Sequence, residues 1–118
     1  MKDERKDFGR RGEDRATAFF VSRGFHIVDR NWSCRYGEID LICEKSGMIH
    51  FVEVKTRRTR QYGNPEESIT ETKLGRLRRS VQLYVHDHQL DWSCVCIDAL
   101  AILAEPGKTP EYHYIENI

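Results

Sequence analysis

At 118 residues the chain has room for one real hydrophobic core, and we read it as a single domain over 1–118. Hydrophobic residues make up 39% and charged residues 32%, and no apolar run approaches a membrane span, so the expectation is a cytoplasmic protein with no membrane partner. Basic and acidic residues balance at 19 each, which excludes binding nucleic acid by overall charge and leaves only local basic clusters for that role.

The charged start, MKDERKDFGRRGEDR, has no apolar stretch and does not read as a signal peptide. A helix is expected over 7–23: Ala16, Phe19, Phe20 and Arg23 follow helical spacing, and Gly24 ends it. Glu13 shares the inward face of Ala16 and Phe20. It either complements the helix dipole or has a functional role. Phe25–Val28 reads as a short first strand. A polar connection from Asp29 to Gly37 follows, in which Arg35 and Tyr36 either reach a phosphate or base or pack as ordinary loop residues.

Two apolar-rich strands come next, Ile39–Glu44 and Met48–Val54, joined at Ser46-Gly47. With Lys45 paired to Met48, Asp40 is expected directly opposite Glu53 and Glu38 opposite Lys55. Alternation then places Glu38, Asp40, Glu53 and Lys55 on one face, and Ile39, Leu41, Cys43, Val52 and Val54 on the other. Opposed carboxylates repel, so the pattern asks for a cation between them, and an all-oxygen site suits Mg2+ or Mn2+. The competing reading is a solvated sheet face with casual charge pairs. A turn longer by one residue would move every side chain to the other face.

Beyond Lys55 the segment TRRTRQYGNP, with Arg57, Arg58, Arg60 and Tyr62, reads as an exposed basic loop closed by Gly63-Asn64-Pro65. Beside the carboxylates it would grip backbone phosphates; otherwise it is a solvated charge run. Ser68 or Thr70 begins a second helix running to about His88, with Ile69, Leu74, Leu77, Val81, Tyr84 and Val85 as its apolar stripe. Lys73 sits at the margin of that stripe, within reach of the site, whereas Arg76 and Arg79 are expected on another face. His86 and His88 are two apart and make a poor metal pair. Asp91-Trp92-Ser93 is a turn, Cys94–Leu103 a buried strand, Glu105–Lys108 a turn and Glu111–Ile115 an edge strand. The four cysteines show no Cys-x-x-Cys spacing and read as reduced, mostly buried thiols in preference to a zinc site. There is no internal repeat, Gly-rich phosphate loop or serine nucleophile elbow. The order αβββαββ gives an α/β domain with a mixed sheet flanked by helices.

Asp40 on one strand and Glu53-Val54-Lys55 on the next form the pattern of the PD-(D/E)xK nucleases. Gly9, Gly12-Glu13, Ala16, Gly24-Phe25, Asn31, the string Arg35 to Ile42, Phe51 to Lys55, Gly63, Pro65 and Lys73 extend the likeness. Over nearly its whole length the chain resembles the YraN-like bacterial proteins. That uncharacterised family is predicted to have a restriction-endonuclease-like fold akin to archaeal Holliday junction resolvases. The resemblance implies that fold, with Asp40 and Glu53 as metal ligands and Lys55 as the catalytic lysine. Glu13 is similar in place to the first-helix acid that contributes to the metal site of resolvase-like nucleases. The family's last core strand usually reads Arg-Phe-Asp; here Cys96-Ile97-Asp98 keeps only the acid.

The function expected is a metal-dependent nuclease acting on DNA, including branched or damaged structures. Asp40, Glu53 and the Val54 carbonyl would hold Mg2+ or Mn2+, with Glu13 directly or through water. Lys55 would orient the attacking water or neutralise the pentavalent phosphate. Arg35, Arg57, Arg58, Arg60 and Lys73 would position the strand, and DNA is expected before RNA. The alternative is a non-catalytic module that keeps the fold and binds nucleic acid or a protein partner. A homodimer is left open.

Overall fold

The computed structural model describes residues 4–61 and 63–118. Tyr62, read as part of the basic loop, and the first three residues lie outside the described residues. Helix α1 (Glu4–Ser22) is followed by strands β1 (His26–Cys34), β2 (Gly37–Lys45) and β3 (Met48–Arg57). A 3-10 turn at Pro65–Ser68 leads into helix α2 (Glu71–Asp87), and a second at Trp92–Cys94 into β4 (Val95–Leu103) and β5 (Glu111–Ile115). The expected order αβββαββ is what the chain adopts.

The five strands lie in the order β1-β2-β3-β4-β5. Neighbours are antiparallel except β3 and β4, which are parallel. A parallel pair needs a crossover, and α2 supplies it. Each helix covers one face. Ala16, Phe19 and Phe20 of α1 pack with Leu41, Cys43, Val52, Val54, Leu100 and Ile102. Leu74, Leu77, Val81, Tyr84 and Val85 of α2 pack with Ile39, Ile42 and Phe51. The central strands are therefore buried on both sides, and β4 is continuously buried from Asp98 to Leu103.

Local signals set the ends of the elements. Gly24, at φ 87, closes α1 in the left-handed region, where a glycine carries no Cβ penalty. Thr70 caps α2, its side chain accepting from the backbone N–H of Lys73. Ser46 (φ 53) and Gly47 (φ 78) are both left-handed, the geometry that a two-residue turn between right-twisted strands requires, and Lys45 pairs with Met48 as expected.

Three expectations need correction. The first strand does not end at Val28 but runs to Cys34, along the edge of β2. Its register shifts between Ile27 and Asp29, and pairing then passes from Arg30↔Leu41 to Trp32↔Ile39 across Asn31, at φ 55. The shift interrupts the alternation at Val28 and Asp29, where the sequence reading ended the strand. Ile39 and Leu41 do not share the expected face: Ile39 packs under α2 and Leu41 under α1. Finally, of the four free cysteines only Cys43 is buried, the other three being half-buried. Burial pushes the Cys43 thiol up to about 12, as suits an inert core residue. Among the described residues no helix is long and apolar enough to cross a membrane.

Candidate active site

The hairpin keeps its predicted register only as far as Leu41↔Val52. One residue further, where Asp40 was expected to face Glu53 in the ladder, the pairing stops. The Asp40 carboxylate takes up the freed donor instead: its Oδ2 accepts from the backbone N–H of Val54 at 2.8 Å. Direct strand-to-strand opposition is thus replaced by an opening between β2 and β3. Glu53 stands at that opening, only 9% exposed, with Lys55 Nζ 3.8 Å from its Oε1.

Helix α1 reaches this opening because Gly12 lets its backbone come down onto β3. A Cβ at residue 12 would lie 2.2 Å from Thr56 Oγ1. The next residue, Glu13, is thereby carried to the rim. Its Oε2 accepts from Asn31 Nδ2 at 2.9 Å, with Arg30 3.8 Å away. Carboxylate oxygens of Glu13, Glu38 and Asp40 lie within 4.8 Å of one another. A cleft of about 300 Å3 is lined by Glu38, Asp40, Glu53 and Lys55 from the sheet and by Lys73, Arg76 and Leu77 from α2.

Burial, and then the charge of Glu53, pushes the Asp40 carboxyl from its ordinary 3.8 up to about 7, against the pull of the Val54 N–H and Lys55. Burial likewise raises Glu53, while Lys55 and Lys73 oppose the shift. Lys73 is lowered, by burial first and then by the neighbouring Lys55 charge, and its Nζ donates to the Ser68 carbonyl at 3.0 Å. Two desolvated carboxylates that resist ionising together form a cation-seeking pair, satisfied at neutral pH by a proton or by a metal. The donors present fit a hard divalent ion. They are all oxygen, and the spread of Glu13, Glu38 and Asp40 is near the ~4.2 Å between opposite ligands of a Mg2+ or Mn2+ octahedron.

Of the residues singled out from the sequence, Glu13, Asp40, Glu53, Lys55 and Lys73 are brought together, and the N–H of Val54 is tied to Asp40. The others disperse. Arg35 lies over the Tyr36 ring and lines a separate hollow with Arg79 and His86. Arg60 is held by Glu111 and Glu105. Arg58 sits over the Phe8 ring at 4.2 Å; Arg57 alone stays close, its charge among those that lower Lys73.

Two residues at the site were given no part in it from the sequence. Glu38 was placed on the face of Asp40 and Glu53, but as a partner for Lys55 and not as a ligand. Arg76 was expected elsewhere, though it follows Lys73 by three on a helix and so shares its side. The acid of the last core strand, Asp98, is fully buried away from the cleft. It accepts from Tyr114 Oη at 2.6 Å and from the Asn117 N–H at 3.0 Å, and His50 Nδ1 lies 2.6 Å away. Burial and that bond to Asp98 raise the Tyr114 hydroxyl and keep it protonated.

The chain is therefore an α/β protein whose five-stranded mixed sheet opens at a cleft of clustered carboxylates flanked by lysines. It belongs to the family described as uncharacterised protein family UPF0102, which matches residues 12–102 and so spans every residue brought to the cleft. A UPF0102 protein of Syntrophomonas wolfei is 40% identical over 110 residues, covering 93% of this chain and 96% of the relative. One from Neisseria meningitidis serogroup C is 46% identical over 110 residues, covering 93% and 92%. Another, from an Arthrobacter species, is 37% identical over 110 residues, covering 93% of each. The family resemblance read from the sequence is thus borne out.

Proposed function

We propose that the protein is a metal-dependent nuclease, one domain of restriction-endonuclease-like fold over 1–118, acting in the cytoplasm on phosphodiester bonds of DNA. The observation that carries this reading is the buried, mutually destabilised pair Asp40 and Glu53, held at a break in the sheet with Lys55 beside it. A chain selected only for folding would neutralise one of these positions.

Asp40, Glu53 and the Val54 carbonyl would hold Mg2+ or Mn2+, with Glu13 directly or through water and Glu38 as a further oxygen donor. The ion, when bound, would make a water more acidic and stabilise negative charge on the attacked phosphate. Lys55 orients the water and offsets charge as the phosphate becomes pentavalent. Its 3.8 Å approach to Glu53 fixes the ammonium at the edge of the carboxylate pair. Lys73 and Arg76 line the opposite wall of the cleft, where cations position a phosphate backbone.

The test is to incubate purified protein with branched, flapped, single-stranded and duplex DNA in Mg2+ and in Mn2+. Cleavage of at least one substrate that vanishes in EDTA and in Lys55→Ala is expected. No cleavage of any substrate, together with no Mn2+ binding in calorimetry, would refute the proposal.

A further inference from the structure

A second charged cavity lies on the other flank of α1. It has a volume of about 480 Å3, and Phe8, Arg11, Arg15, Arg58, Glu105 and Lys108 are among its lining residues. Arg11 and Arg15 are one helical turn apart and so project from the same side of α1. Arg58 follows the end of β3 and Lys108 comes from the β4–β5 turn. Three separate parts of the chain therefore converge four cations on one cleft. The single lining carboxylate, Glu105, is already shared between Lys108 at 3.6 Å and Arg60 at 3.7 Å. Among the described residues, Arg11, Arg15 and Arg58 take part in no ion pair. The Phe8 ring, 4.2 Å beneath the Arg58 guanidinium, holds that fork without neutralising it. In a chain of zero net charge, such a local excess of arginine matches the spaced anionic oxygens of a phosphodiester backbone, which planar guanidinium groups bind bidentately.

The position of the cleft says which strand it would hold. Gly12 and Ala16 form the buried line of α1 against the sheet. Glu13 leaves that line toward Asn31 and the carboxylate cleft. Arg11 and Arg15 leave it on the opposite flank, toward the β4–β5 turn. Glu13 and the arginine pair thus diverge from opposite flanks of α1, so the carboxylates and this cleft open on different sides of that helix. We infer that Arg11, Arg15, Arg58 and Lys108 bind the backbone of a second nucleic-acid strand, so that the protein takes a duplex with one strand at the carboxylates and the other in this cleft. The inference rests on the nuclease reading only for what the first cleft holds.

The experiment is equilibrium binding in EDTA, where nothing is cut. A short labelled duplex and its single strand are titrated at a series of salt concentrations. The proteins are the parent, the Arg11→Gln/Arg15→Gln/Lys108→Gln variant, and Lys108→Glu alone. The last alters one exposed turn residue and guards against a folding defect in the first. For the triple variant, the slope of log affinity against log salt on duplex is expected to fall by about 2.7, at about 0.9 for each phosphate no longer neutralised. Single-strand binding should not change. Lys108→Glu should lower the duplex slope by about one. Duplex slopes equal to the parent's in both variants would overturn the inference. So would equal weakening on duplex and single strand, which would put the cleft on the same strand as the carboxylates. A matching loss of polyglutamate binding would reduce the cleft to a general anion patch and overturn it too. Failure of the parent both to bind Mn2+ and to cleave any substrate would refute the nuclease reading instead, and would leave the duplex result standing.

Discussion

Replacing Asp40 with Asn separates the cost of its charge from the value of its shape. The amide oxygen can still accept the Val54 N–H, but the second buried negative charge is gone. The Asp40 carboxyl is raised in the folded protein from 3.8 to about 7, by burial first and Glu53 second. Because the folded value lies above the unfolded one, this group supports the fold fully only below about pH 4, and that support is lost as pH rises through about 7. Between pH 5 and pH 8 about two units of the gap are titrated, a loss of about 2–3 kcal/mol at 1.36 kcal/mol per unit. The Asn variant escapes that loss, since the pull of the Val54 N–H on the charged carboxylate already works against the rise to about 7. In EDTA its stability relative to the parent should therefore rise by about 2–3 kcal/mol between pH 5 and pH 8. Mn2+ at a hundred times its dissociation constant should stabilise the parent by about 2.7 kcal/mol, and the variant should lose most of that gain. Urea melts at pH 5 and pH 8, with EDTA and with Mn2+, supply every value. A variant whose relative stability in EDTA does not rise between pH 5 and pH 8, with a parent indifferent to Mn2+, would make Asp40 a structural hydrogen-bond acceptor and refute the reasoning.

The affinity for Mn2+ should climb up to about tenfold per pH unit below 7, because the ion displaces the proton that Asp40 holds, and should level off above that. Calorimetry across pH 5.5 to 8 reads this directly, and a flat profile would count against the site. Lys55→Ala should leave Mn2+ affinity within a few-fold of the parent yet abolish cleavage, since the ammonium acts mainly on the transition state; parallel loss of both would make Lys55 structural. Gly12→Ala pushes a Cβ to 2.2 Å from Thr56 Oγ1, so denaturant midpoints should show about 1–3 kcal/mol of destabilisation. Thr56→Ala should restore part of it. An undisturbed Gly12→Ala midpoint would mean that α1 does not rest on β3 there.

What the sequence made legible was whatever depended on local pattern. The Ser46-Gly47 turn, the stripe from Leu74 to Val85 and the Thr70 cap each follow from a few neighbouring residues, and each appears where expected. The central carboxylates were found by counting outward from the turn, a count that holds to Leu41↔Val52. It failed one residue later because strand separation is decided by tertiary neighbours: Asn31 across the sheet and α1 above it. The same limit applied to the arginines. Arg60 is taken by Glu111, which lies 51 positions further along the chain. Arg11 and Arg15 carried no local mark that set them apart from an ordinary solvated helix face.

The burial of Asp98 has a consequence for how the sheet comes apart. Its three partners come from places distant in sequence: His50 on β3, Tyr114 on β5 and the backbone of Asn117. A short edge strand like β5 would ordinarily fray ahead of the rest. Here fraying strips two donors from the fully buried Asp98 carboxylate of β4, leaving it His50 alone. Opening the edge therefore unsettles its buried neighbour, so β5 and β4 melt as a single cooperative unit. Amide exchange in β5 should accordingly be nearly as slow as in β4.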